Sequence, residues 1–81
     1  MEGKYIIQLD NPYHGSERPL YVIFVSLYTN NLLYYLTHNK YEAKKMNDRS
    51  LIRRCMNKIV SSYINRTDII QLPKPRAIKI N

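Results

Sequence analysis

The side chains best suited to chemistry are six cations in one short stretch: Lys44, Lys45, Arg49, Arg53, Arg54 and Lys58. Guanidinium and ammonium groups at this density suit contact with phosphate oxygens, because each contact neutralises an anion and releases its counterions. Arg49 and Arg53 are four residues apart, as are Arg54 and Lys58. On a helix each pair shares one side, where like charges cost about 0.2–0.5 kcal/mol. No acidic residue between Arg49 and Asn65 offsets them, and Lys40, Lys74, Arg76 and Lys79 extend the excess on either side. From residue 40 onward eleven basic residues face Glu42, Asp48 and Asp68, a net of +8, whereas residues 1–39 set Lys4 and Arg18 against Glu2, Asp10 and Glu17, a net of −1. Self-repulsion of this kind does not stabilise a fold, so it points to a polyanion or an acidic protein surface as partner. The competing reading is a solvated face that only aids solubility.

Tyr34, Tyr35, Tyr41 and Tyr63 lie near these cations and are candidate stacking platforms for unpaired bases, with core packing or a dimer contact as the alternative. Tyr34 and Tyr35 are adjacent, so on a strand they point to opposite faces. Nothing resembles an RRM aromatic signature, a KH glycine loop or a zinc knuckle, so contact through backbone and shape is expected. Catalysis is not expected. The single cysteine, Cys55, falls on an apolar helical stripe and reads as a small buried hydrophobe. His14 and His38 are the available general bases of a basic ribonuclease, but their positions are unrelated. These three residues are too few and too scattered for a metal, and the only glycines, Gly3 and Gly15, make no phosphate-cradling loop. No cofactor is expected.

The elements that must position these groups follow from periodicity. Tyr5–Leu9 is a short β-rich run, and residues 11–19, with two prolines and Gly15, form a loop. Leu20–Tyr28 is apolar on both faces, with Tyr21, Ile23, Val25 and Leu27 on one and Leu20, Val22, Phe24 and Tyr28 on the other. A turn at residues 29–31, where asparagine tolerates positive φ, returns the chain as a second hairpin arm over residues 32–36. Asn39 and Glu42 are spaced as a capping box opening a helical turn and a half over residues 41–46. A second helix runs from Arg49 to Tyr63. Its Ile52, Cys55, Met56, Ile59, Val60 and Tyr63 form one stripe, and Asp48 sits at its positive end. Residues 69–72 read as a strand, Pro73 and Pro75 break it, and residues 77–80 read as an edge strand. The expected fold is α+β: a small antiparallel sheet in β-β-β-α-β order packed against one main amphipathic helix, in a single domain.

At 81 residues, such a domain buries roughly 60–65% of its unfolded surface. A lone cysteine implies a reducing compartment. No apolar run reaches the ~20 residues that span a bilayer, and no basic-then-apolar leader opens the chain. A cytoplasmic protein without membrane contact is expected. One helix covers one sheet face only. Exposed Val22, Phe24 or Tyr28 on the other face implies a homodimer.

The stretch Tyr35-Leu36-Thr37-His38-Asn39-Lys40-Tyr41-Glu42-Ala43-Lys44-Lys45-Met46, a strand end followed by a capped turn and Glu-Ala-Lys-Lys, precedes a basic amphipathic helix. This hairpin-then-helix layout over residues 20–63 resembles small basic accessory proteins of tailed phages. Among these it resembles counter-defence inhibitors, including RNA-binding inhibitors of type III toxin–antitoxin endoribonucleases. The resemblance implies a non-enzymatic protein that works by occupancy in the host cytoplasm, and it transfers no individual site residue. The function expected is therefore nucleic-acid binding, RNA rather than DNA, directed against a host defence ribonuclease or nucleoprotein complex. Alternatives are an inhibitor that docks on an acidic host protein without nucleic acid, and a small basic ribonuclease.

Overall fold

A computed structural model of the chain describes residues 4–13 and 18–80. It has the expected α+β architecture: β1 (Tyr5–Leu9), β2 (Leu20–Tyr28), β3 (Asn31–Thr37), a 3-10 turn (Lys40–Glu42), α1 (Arg49–Tyr63) and β4 (Arg76–Lys79). The strands form one antiparallel sheet in the order β3-β2-β1-β4. No helix among the described residues is long and apolar enough to cross a membrane.

Helix α1 starts where its cap is strongest. The Asp48 carboxylate accepts from the Ser50 and Leu51 N–H groups at 3.0 and 3.2 Å, satisfying two donors that the first turn leaves free. Ile52, Cys55, Ile59 and Tyr63 are buried as one stripe. They meet Ile7, Leu9, Leu20, Val22, Leu32 and Met46 in the main core. The opposite sheet face carries a smaller cluster of Ile6, Tyr21 and Ala43, with Ile78 and Ile80 packed beside it.

Four features depart from the periodic reading. First, β2 does not keep one alternation along its length. Val22 pairs with Leu36 but Phe24 pairs with Tyr35, so Ile23 is the extra residue of a β-bulge. The bulge flips the sides: Val25 joins Val22 over the helix-side core, and Phe24 joins Tyr35 on the far face. Val22 is therefore fully buried, while Phe24 and Tyr28 are exposed.

Second, the helical turn expected over residues 41–46 is one 3-10 turn that ends at Ala43, whose backbone is extended. Asn39 does cap it, accepting from the Tyr41 N–H at 3.0 Å. Beyond Ala43 the sheet captures the chain. Lys44 N–H donates to the Val22 carbonyl at 2.8 Å, and Met46 exchanges two bonds with Tyr5 at 2.7 and 2.8 Å. Strands β1 and β2 pair only at Gln8–Tyr21 and Leu9–Leu20, then part, and residues 44–46 fill the gap. Ala43 and Met46 bury on opposite sheet faces, which an extended segment permits and a helix does not.

Third, residues 69–72 form no strand. Both edges of β1 are taken, by β2 and by β4. The segment instead crosses the end of the sheet, with Ile70 N–H donating to the Pro12 carbonyl and Asp10 N–H to the Pro73 carbonyl.

Fourth, the hairpin turn places positive φ on Thr29 (53°), not on an asparagine. A β-branched residue in this region is disfavoured, and hairpins of this kind prefer glycine at the first central position. The Thr29 hydroxyl donates to the Tyr28 carbonyl at 2.6 Å, which offsets part of the strain. Thr29→Gly is expected to raise stability by about 1 kcal/mol. A urea titration checks this: the midpoint rises with no change in slope, whereas an unchanged or lower midpoint contradicts the strain.

Candidate nucleic-acid interface

The six candidate cations are all exposed, but the fold separates them into two groups. At about 100° per residue, Arg49 and Arg53 stand roughly 40° apart on the helix, as do Arg54 and Lys58. The two pairs cover neighbouring parts of the solvent side of α1. Arg49, Arg53 and Arg54 close around one shallow depression together with Ser50. The first two also line an adjoining depression floored by Tyr5, Ile52, Met56 and Ala77. That second depression puts an apolar shelf beside two guanidinium groups. Tyr5, Met56 and Ala77 were not among the expected site residues. Met56 lay on the expected apolar stripe of α1, but nothing local marks Tyr5 or Ala77, because strands β1 and β4 reach the helix flank only through the sheet order.

Lys45 lies elsewhere. Residues 43–46 alternate between the sheet faces, so Lys44 takes the helix side and Lys45 the far side. There Lys45 lines a different depression with Ile6, Lys40, Tyr41, Ala43 and Ile80. Helical spacing had placed both lysines on one patch, and the extended backbone splits them.

Ion pairing removes two other basic residues from the excess. The Arg76 guanidinium bonds the Asp10 carboxylate at 3.0 Å. Arg66 forks onto the Asp68 carboxylate and stacks against the Tyr13 and Tyr63 rings, 5.5 and 5.2 Å from their centroids. That bond, the first cause, holds the Asp68 carboxyl below its usual range. Among the described residues, none of Lys44, Lys45, Arg49, Arg53, Arg54 and Lys58 forms an ion pair.

The helix end itself is already occupied by an anion, since Asp48 caps its free N–H groups. Helix N-termini commonly bind phosphate. Here Asp48 takes that role within the chain.

The four candidate tyrosines divide as well. Tyr63 is 6% exposed and belongs to the main core, and its hydroxyl lies 3.4 Å from that of Tyr13. Burial, then the Tyr13 hydroxyl, pushes its own hydroxyl well above the ordinary tyrosine range. Tyr34 packs half-buried against the same core. Tyr63 offers no ring face to a base, and Tyr34 is partly covered. Tyr35 is exposed but already leans on Phe24, with ring centroids 5.5 Å apart. Tyr41, at 95% exposure beside Lys40 and Lys45, is the one free ring. His38 is exposed just beyond β3, and neither arginine depression includes a histidine among its described lining residues. His14 lies outside the described residues.

Cys55 is fully buried on the stripe, and burial pushes its thiol up to about 11 from an ordinary value of 9.0. The unfolded chain loses this proton first, so stability is unaffected below about pH 9 and falls as pH rises from there toward 11. At pH 8 the thiol is expected to resist a disulfide reagent such as Ellman's reagent until denaturant is added. Rapid labelling of the folded protein contradicts this placement.

No protein-family model, curated protein or solved structure matches this chain.

Proposed function

We propose that this protein binds RNA through the Arg49–Arg53–Arg54 cluster of α1, with Lys58 and Lys44 as auxiliaries, and acts by occupancy without turnover. One observation carries the reading: three guanidinium groups, without an ion pair among the described residues, surround a single depression on a helix with no carboxylate of its own. Phosphate relieves their mutual repulsion. The neighbouring shelf of Tyr5, Met56 and Ala77 favours RNA with unpaired bases, because a base or sugar laid there sits beside Arg49 and Arg53. In this reading the protein covers an RNA that a host defence ribonuclease or nucleoprotein complex needs, and it does so in the cytoplasm, as the phage-like layout implies.

The test is a mobility shift with short single-stranded RNA across a salt series. With three or four phosphate contacts, affinity is expected to fall roughly 20- to 50-fold between about 50 and 200 mM salt. Absence of binding at the lower salt refutes the proposal. Docking on an acidic protein without nucleic acid is the competing reading. It predicts capture of the partner that survives nuclease treatment, together with no shift of RNA.

A further inference from the structure

The sheet has two edges with opposite character. Strand β4 is four residues long, follows Pro75 and carries Arg76 and Lys79, features that discourage another strand from adding to it. Strand β3 at the other edge is seven residues long, Asn-Leu-Leu-Tyr-Tyr-Leu-Thr, with no charge and no proline. Tyr28 and Asn31 close the hairpin, so bonding and non-bonding positions alternate from there. Leu33 turns its backbone groups toward Ser26 of β2, while Leu32 and Tyr34 turn theirs outward. Among the described residues nothing pairs with that outer edge.

The same hairpin carries several exposed apolar side chains. On the far face Phe24, Tyr28, Leu33 and Tyr35 are between 47% and 72% exposed, and Leu27 on the helix side is 48% exposed. Leu33 and Tyr35 stand on the edge strand itself, and Phe24 and Tyr28 lie one strand behind them on the same face.

We infer that β3 is the dimer interface of this protein, pairing antiparallel with β3 of a second copy about a two-fold axis near Tyr34. Charge permits a second copy as the occupant. Two copies that each carry +7 repel wherever their cations meet, and β3 is an uncharged strand through which they can approach. The strand is also complementary to itself. In this register Leu33 of one copy faces Tyr35 of the other on the far sheet face, next to the Phe24–Tyr35 contact of each. The axis stands perpendicular to the sheet, so an eight-stranded sheet forms with both α1 helices on one side and both arginine clusters on one surface. The inference is independent of RNA binding and is tested on nucleic-acid-free protein.

Sedimentation equilibrium of the full chain from about 5 to 200 μM is expected to show a monomer–dimer equilibrium, tightening as salt screens the net charge. This salt dependence has the opposite sign to RNA binding, so either reading can fail alone. Leu33→Lys and Tyr35→Lys, both at exposed positions, are each expected to weaken the dimer at least tenfold with an unchanged circular dichroism spectrum. The double variant Leu33→Lys/Tyr35→Glu sets an introduced lysine against an introduced carboxylate across the axis and is expected to restore most of the affinity. In parallel, amide exchange of Leu32 and Tyr34 slows as concentration rises. A wild-type monomer throughout the range, a dimer indifferent to the single substitutions, or exchange at Leu32 and Tyr34 that ignores concentration overturns the inference.

Discussion

An Arg53→Glu/Arg54→Glu variant is expected to lose RNA affinity by at least about 100-fold at ~100 mM salt, yet to unfold at a slightly higher temperature than the parent. The two effects have separate origins. Each arginine contact with phosphate is a charge-assisted bond of about 1.5–3 kcal/mol, so losing two accounts for the affinity before any repulsion from the new carboxylates is counted. Stability moves the other way because the parent helix places Arg49 against Arg53 and Arg54 against Lys58. The double reversal converts both repulsive pairs into attractive ones, a gain of about 0.8–2 kcal/mol in total. Mobility shift and thermal denaturation of the same preparation read both numbers. A variant that binds like the parent removes α1 from the interface. One that binds weakly because it has partly unfolded is recognised by its lower melting temperature. The matching control is Lys45→Glu, on the far sheet face, whose effect on affinity is expected to stay within about threefold.

The control works because of a detail that periodicity could not reveal. The boundaries of β1, β2 and α1 were legible because their patterns are uninterrupted. The stripe from Ile52 to Tyr63 runs without a break to Tyr63 at the end of the helix, and Asp48 marks the start through the cap it makes. Where the pattern breaks, sequence reasoning continued it. One extra residue at Ile23 moved Val25 and Phe24 to the faces opposite those expected, because a bulge has no signature in a run that is apolar on both sides. Glu-Ala-Lys-Lys has helical propensity, but Ala43 and Met46 each found an apolar cluster on a different sheet face, and that burial outweighed propensity. The candidate site was legible to the same degree. Residue type marked Arg49, Arg53 and Arg54, whereas Tyr5 and Ala77 came to them only through the sheet order. Tyrosine identity alone could not separate Tyr41, in solvent, from Tyr63, in the core, although Tyr63 already lay on the helical stripe. The stripe was the stronger signal for that residue.

Ile59→Ala is expected to be the most damaging single substitution in α1. Ile59 is 0% exposed and sits in the middle of the stripe, within the same core as Cys55, Val22 and Leu32. Truncation removes three carbons and leaves a cavity that a sheet braced by β1 and β3 closes only in part, at a cost of about 3–4 kcal/mol. A domain of this size has only about 4–12 kcal/mol in total, so the variant is expected to melt roughly 15–20 °C lower or to be partly unfolded at room temperature. Ile64, one residue past the helix and mostly exposed, supplies the comparison: Ile64→Ala is expected to cost less than about 0.5 kcal/mol. Urea midpoints of the two variants decide the matter, and equal midpoints contradict the packing of α1 on the sheet. The same experiment bears on function. Ile59 lies on the core side of α1, and Arg53 and Arg54 are held in place only because that side is packed. The folded fraction of Ile59→Ala should therefore bind RNA with the parent affinity, and total binding should fall only in proportion to the fraction unfolded. A larger loss shows that the arginine cluster needs a more rigid helix than the fold alone supplies.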